Sequence, residues 1–402
     1  MKTRGRMLAV LACAAAVIMC CGAAGAEWKE ETRGSKVARR TWVDENGEQA
    51  MAPEGYSVVT LSYNGTTVTE KYYDLEGKPA KVIGGYCGRA LTYGNKHRLE
   101  ELIYLDEQGD AVACDAGYAR MRIVYTSAGG VKTAAYFDEE NTLMTVPSLG
   151  YAMVKNDYRG TTLTKASYFD EKKNPVDIPS GYAVMIQSVN KSNRVTGIRF
   201  EHADGSPAVC AEGWAVMKRE MDKKNREVSV KYYDLSGNLT DRGLGYAYEV
   251  KTWDGDLTCM VSRFDKEDQR MAMGAGYTSV RREMNKAGQV VRETYLDENG
   301  AAVKNTEGIA ARRYEYDEAG RFAKVTFEGP RGETAECAAG YAGYQETLDG
   351  EGFVLSRTFL STGGKPVNTS EGYSEIRYQY DRNRQIRRKE YYDTNGALVK
   401  SE

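Results

Sequence analysis

Val228-Ser229-Val230-Lys231-Tyr232-Tyr233-Asp234-Leu235-Ser236-Gly237 decides how this chain folds. Apolar and polar residues alternate from Val228 to Tyr232, the period of a strand with one covered face. The strand ends in a pair of aromatics and an Asp, and a glycine three residues later suits the left-handed position of a tight turn. The same signature recurs at Tyr72-Tyr73-Asp74, Tyr104-Leu105-Asp106, Tyr136-Phe137-Asp138, Tyr168-Phe169-Asp170, Tyr295-Leu296-Asp297 and Tyr391-Tyr392-Asp393. The stretch therefore belongs to a repeat.

Working outward, a glycine followed by an aromatic or apolar residue marks the start of each cycle. The series is Gly55-Tyr56, Gly85-Tyr86, Gly117-Tyr118, Gly150-Tyr151, Gly181-Tyr182, Gly213-Trp214, Gly245-Tyr246, Gly276-Tyr277, Gly308-Ile309, Gly340-Tyr341 and Gly372-Tyr373, in steps of 30 to 33 residues. Eight residues after each glycine stands an apolar or aromatic side chain, and Asp or Asn often follows it. That order reads as a strand entering a turn. Asn64-Gly65 and Asp254-Gly255 suit a two-residue type I′ turn, while longer units carry forms such as Asp317-Glu318-Ala319-Gly320. Length differences thus fall in loops. Each unit is read as a long hairpin, a short third strand and a connector.

An isolated hairpin is barely stable in water, so each aromatic face needs the next hairpin to cover it. With 29 Tyr in the chain, a ladder of stacked rings is the expected core. The fold class is all-β: tandem 32-residue β-hairpin repeats stacked into an elongated solenoid or superhelical sheet. Residues 55–402 hold eleven units, and residues 27–54 read as a partial N-terminal repeat that keeps only the second half.

Residues 1–26 read as a signal peptide: Lys2, Arg4 and Arg6 precede an apolar run from Met7 to Cys21, and Ala24-Gly25-Ala26 supplies a cleavage site. Val10-Leu11-Ala12-Cys13 offers a rival lipoprotein box. Removing three positive charges moves the formal charge from −2 to −5, a balance that argues against nucleic acid as partner. The run is short for a membrane span, and no integral membrane segment is expected in the mature chain. The expected location is secreted or in the cell envelope, periplasmic or at the surface.

Tyr314-Glu315-Tyr316-Asp317-Glu318-Ala319-Gly320-Arg321-Phe322 resembles the YD repeat of Rhs and teneurin proteins, and Tyr378-Gln379-Tyr380-Asp381 follows it in part. That resemblance implies a spiral β-sheet shell, which in the family is usually longer and carries a terminal cargo domain. Gly213-Trp214 and Tyr295-Leu296-Asp297-Glu298-Asn299-Gly300 are similar, more distantly, to choline-binding-type cell-wall repeats.

His97 and His202 lie three units apart, with no partner visible in the pattern; His97 stands in a turn. Cys87, Cys114, Cys210, Cys259 and Cys337 are odd in number, and three of them sit at equivalent places in distant units, so small buried apolar roles are expected. Asp44-Glu45-Asn46-Gly47 and Asp297-Glu298-Asn299-Gly300 resemble calcium-loop fragments but are read as turn caps. Arg382, Arg384, Arg387, Arg388 and Lys389 read as a solvated strand face. No catalytic, cofactor-binding or metal-ligating residue is expected, and no enzyme activity. The alternation in Ile376-Arg377-Tyr378-Gln379-Tyr380 allows a face of exposed tyrosines for sugar rings or a peptide, with core packing the commoner explanation for any single Tyr. The functional expectation is a secreted, non-catalytic binding or scaffolding surface for an envelope glycan or surface protein; a structural spacer, an Rhs-like shell fragment and an unrecognised hydrolase are the alternatives. Ile309 and Thr358-Phe359-Leu360, which break the pattern, are the places where a hydrolase would show.

Overall fold

The computed structural model describes residues 27–44, 46–241, 245–273, 276–380 and 386–402. The expected signal peptide, the rival lipoprotein box, Glu45, Asp381, Arg382 and Arg384 lie outside the described residues. The first strands are β1 (Glu27–Arg33), β2 (Lys36–Val43), β3 (Val58–Asn64), β4 (Thr67–Tyr73), β5 (Gly88–Tyr93), β6 (Leu99–Leu105), β7 (Arg120–Tyr125) and β8 (Val131–Phe137). Each pairs antiparallel with its neighbour in sequence. The same hairpin recurs to Ser401, for twenty-six strands among the described residues. The tandem all-β reading holds. Residues 27–54 contain a whole hairpin, β1 with β2, where the spacing predicted the second half of one.

The expected third strand is reduced to a bridge of one or two residues, as at Tyr73 with Pro79 and Leu360 with Pro366. In the connector the chain folds back, and Ala80 N donates to Tyr72 O at 2.9 Å. This return places the Gly-aromatic ring of each unit on the strand ring of its neighbours.

Contacts divide the chain into two units. One holds residues up to Met217 with Tyr233–Gly237; the other holds Lys218–Tyr232 and Asn238–Glu402. In the first, the ring series runs without a gap, from Trp42 and the first-strand Trp28 into alternating connector and second-strand rings: Tyr56, Tyr72, Tyr86, Tyr104, Tyr118, Tyr136, Tyr151, Tyr168, Tyr182, Phe200 and Trp214. Successive centroids lie 4.4 to 6.1 Å apart. From Tyr56 to Phe200 each ring touches one from its own unit and one from an adjacent unit. Burial of one such side chain contributes about 1.5–3 kcal/mol, and tilted or edge contacts add about 0.5–1.5 kcal/mol per pair.

The second unit keeps the ladder with two substitutions. Ile309, at a Gly-aromatic position, is fully buried and packs with Val280, Tyr295, Val325 and Phe327. Arg263 occupies a strand-ring position: Met271 N donates to its carbonyl as Ala80 N does to Tyr72. Its guanidinium lies 4.4 Å from the centre of the Tyr246 ring, replacing ring stacking by a cation over an aromatic face. Beyond Ile309 the stack resumes through Phe327, Tyr341, Phe359, Tyr373 and Tyr391.

Turn chemistry explains the unequal unit lengths. In the loop after Tyr316, Asp317 O accepts from Gly320 N at 2.9 Å, and Asp317 Oδ1 accepts from Arg321 N at 2.7 Å. Gly320 has φ +76°, so this is a type I turn closed by a left-handed residue. The shortest unit differs from expectation. Asn64 pairs with Thr67 as the last strand residue, leaving Gly65-Thr66 as the loop, with positive φ at Gly65 only. That is the II′ arrangement, not I′. Asp254 likewise ends its strand, before a three-residue loop, Gly255 to Leu257.

Two outcomes follow. Phe200→Ala, between Tyr182 and Trp214, should cost about 3–5 kcal/mol in denaturant unfolding; a loss below about 1 kcal/mol would show that the ladder does not hold the array. Burial pushes the phenols of Tyr104, Tyr295 and Tyr341 up to about 12, against about 10 when unfolded. A raised acid pKa favours the neutral form in the folded state, so this stability is full below about pH 10 and is lost as pH climbs through about 12. An alkaline titration should therefore show tyrosinate absorbance rising together with unfolding, not before it.

Candidate functional site

The side chains eight residues after the unit glycine do more than end a strand. Tyr63 OH donates to Val37 O at 2.9 Å, Tyr125 OH to Leu99 O at 2.8 Å, Tyr158 OH to Val131 O at 3.0 Å, Tyr316 OH to Val290 O at 2.7 Å and Tyr380 OH to Val354 O at 2.8 Å. Trp253 Nε1 reaches Glu227 O at 3.0 Å in the same way. Each acceptor lies in the second strand of the preceding hairpin. The aromatic end of one unit is thus latched to the unit before it, a link that the apolar pattern hid.

A second link joins successive hairpin loops through the residue thirteen after the glycine. Arg226 binds its own Asp222 at 2.7 Å, bonds to Gly255 O in the next loop and covers the Trp253 ring at 4.6 Å. Arg321 binds its own Asp317 at 2.7 Å and donates to Asp349 O at 3.0 Å. Carboxylate, guanidinium and next loop form one chain of bonds.

The loop after β5 departs from this scheme. Gly94 stands where most other units have Asp or Asn. Gly94 N still donates to Arg98 O at 2.8 Å, yet no side chain caps the turn. Lys96 and His97 both turn left-handed, φ +61° and +53°, where comparable loops place one such residue. Non-glycine residues there cost about 1–2 kcal/mol each. The Glu100 carboxylate lies in the space that a Cβ at position 94 would fill. Arg98, equivalent to Arg226 and Arg321, has lost its carboxylate; its guanidinium lies 5.5 Å from the Tyr125 ring centre and fills the hollow above Gly129. Burial raises the Tyr125 phenol pKa; Arg98 pulls it down and Glu100 pushes it up.

Between this loop and the next opens a cleft of about 440 Å³, lined by Asn95, Lys96, Arg98, Glu100, Ile123, Val124, Tyr125, Thr126 and Ser127. It holds two cations, one carboxylate, an apolar floor and small hydroxyls. Such a mixture suits binding.

Of the two readings of the Ile376–Tyr380 alternation, core packing is the one found. Ile376 is buried and Tyr378 and Tyr380 are half-buried on the packed side, while Arg377 and Gln379 face solvent. On the strands of the second unit the packed side is ionic, with each acid matched. Lys251 lies 2.5 Å from Glu227, Arg282 2.8 Å from Glu293, and Arg357 2.5 Å from Glu346. Alternation identified the shared side but not which side is covered.

His97 is exposed in its turn. His202 does have a partner, Asp177 Oδ2, 2.6 Å from Nδ1, and Ala203 N donates to Asp177 Oδ1 at 2.9 Å. The pair ties a turn to the preceding connector, as Ala113 N does with Glu139. Cys87, Cys114, Cys210, Cys259 and Cys337 are buried and unbridged. Asp44 and Asp297 accept backbone N–H bonds from residues two and four ahead at 2.9 to 3.0 Å, as turn caps. Arg387 and Arg388 are exposed. In the loop after Leu360, Ser361 takes the Asp role, its Oγ accepting from Lys365 N at 3.3 Å. Both suspected pattern breaks are therefore replacements within the fold.

No family profile and no curated protein matches this chain. Among solved structures it is similar to the TcdB2-TccC3 crystal structure, with 10% identity, a TM-score of 0.25, and 93% of this chain covered against 23% of that one. A Photorhabdus luminescens Tc holotoxin pore gives 10% identity and a TM-score of 0.25, over 90% of this chain and 21% of that chain. A porin-like protein from Bacteroides uniformis gives 7% identity and a TM-score of 0.21, over 86% and 91%. This chain thus spans less than a quarter of the toxin chains it matches.

Tyr125→Phe removes the latch to Leu99 O and should lower stability by about 0.5–1.5 kcal/mol in denaturant unfolding. An unchanged midpoint would show the latch to be idle.

Proposed function

We propose that this chain is an exported, non-catalytic repeat protein that acts as a binding or scaffolding surface in the cell envelope, with a glycan or another surface protein as its ligand. The observation that carries this reading is the division of labour within each unit. Aromatic side chains are consumed in the ladder and latches, and strand-face charges are paired, while the hairpin loops vary in sequence and leave a cleft at Gly94–Arg98. A scaffold that fixes its core by repetition can change its loops without disturbing the stack. His202 and the cysteines hold structural positions, which favours binding over hydrolysis.

A second reading, a spacer without ligand, draws support from the fully matched ion pairs on the packed strand face of the second unit. Purified mature protein should retain defined wall polysaccharide or a defined envelope protein in a pull-down, and cell fractionation should find it exported. Retention of neither leaves the spacer as the surviving function.

A further inference from the structure

We propose that the cleft beside the Gly94–Arg98 turn binds a carboxylate-bearing saccharide, the sugar carboxylate taking the place of the Asp that other units supply; this rests on the binding-surface reading above. The argument begins with the repeat itself. Arg226 and Arg321 are each held by the Asp four residues before them, at 2.7 Å. In the equivalent loop that residue is Gly94, and among the described residues no carboxylate lies within ion-pair distance of Arg98 or Lys96. Two cations therefore face one cleft whose single carboxylate, Glu100, is ion-paired with neither.

Arg98 is nevertheless held in position. Its guanidinium sits over the Tyr125 ring and in the hollow above Gly129, and Tyr125 is fixed through its hydroxyl to Leu99 O at 2.8 Å. A planar guanidinium already oriented loses little freedom when it grips a carboxylate through two parallel bonds. Lys96, exposed and held in a left-handed turn, adds a second charge at the rim. Val124, exposed at the cleft wall, supplies an apolar patch for the CH face of a sugar ring, and Asn95, Thr126 and Ser127 supply partners for its hydroxyls. Thr126 Oγ1 already accepts from Gly130 N at 3.1 Å, so its own hydrogen can turn toward the cleft. At about 440 Å³ the space lies within the range of small-ligand sites, roughly 300–1,000 Å³. A mature charge of −5 argues against a polyanion held by bulk attraction, so recognition would have to be local.

Calorimetry on the full mature chain, with polygalacturonate, poly(glycerol phosphate), poly-glutamate and dextran as probes, tests this. Polygalacturonate should bind best, dextran should not bind, and added salt should weaken the association. Lys96→Ala, at an exposed site, and Arg98→Ala should each weaken it about tenfold. Gly94→Asp should abolish it by restoring the internal partner of Arg98, the exposed Glu100 side chain swinging into solvent to make room. Ser127→Asp, also exposed, should weaken binding by repulsion; near-UV circular dichroism checks that each variant keeps its ring stack. Preference for poly-glutamate or poly(glycerol phosphate), binding to dextran, no binding at all, or folded Lys96→Ala and Ser127→Asp variants that bind as before would overturn the proposal. If those variants still retain wall polysaccharide in the pull-down, the cleft assignment fails while the binding-surface function stands; if the parent chain retains none, the broader function fails.

Discussion

Stacking between an aromatic ring on a connector and one on a strand is the constraint from which the rest follows. A single hairpin here presents one covered ring edge and one bare one, so it gains little by folding alone. Packed between neighbours it buries both, and the benefit rises with each added unit. Antiparallel pairing fixes the height at which each ring arrives, and the connector's return bond to the carbonyl of the strand ring fixes its angle. Loops, caps and latches serve that placement.

The two departures in the ladder show what the position demands. Ile309 satisfies it by volume alone, fully buried among Tyr295 and Phe327. Arg263 satisfies it by lying flat on Tyr246, with Glu249 Oε2 3.4 Å from its Nε. Shape and a broad contact surface are required at that site; aromatic character is one way of supplying them. A different tolerance appears at Glu328, where Tyr73 and Leu105 have apolar equivalents: the carboxylate is almost wholly buried and is held by Arg292 at 2.8 Å and by Arg313. Loss of either arginine would leave a buried charge short of partners.

Much of this was legible in sequence because it depends on period. Glycine at a fixed step, Asp three residues before a left-handed glycine and alternation along strands each have a local physical cause, and together they gave the hairpins, the turns and the ladder. What was not legible depends on register between units. The partner of Tyr125 OH lies 26 residues back, and nothing near Tyr125 marks Leu99. Asp177 is similarly remote from His202. Arg263 was hidden because Phe264-Asp265 completes the end of the aromatic signature in its proper register. The cleft could have been suspected from one signal, a glycine at 94 where neighbouring units place Asp, Asn or Thr.

The latches between units have a further consequence. Because the bond from Tyr125 to Leu99 and that from Tyr316 to Val290 span the same number of positions, every internal hairpin offers its successor the same set of acceptors. Excision or duplication of one complete period would leave each remaining donor facing an equivalent carbonyl. Such a chain can change its reach in whole steps through recombination at the level of its gene, whereas a cut of half a period would strand an aromatic edge in water at both sides of the scar.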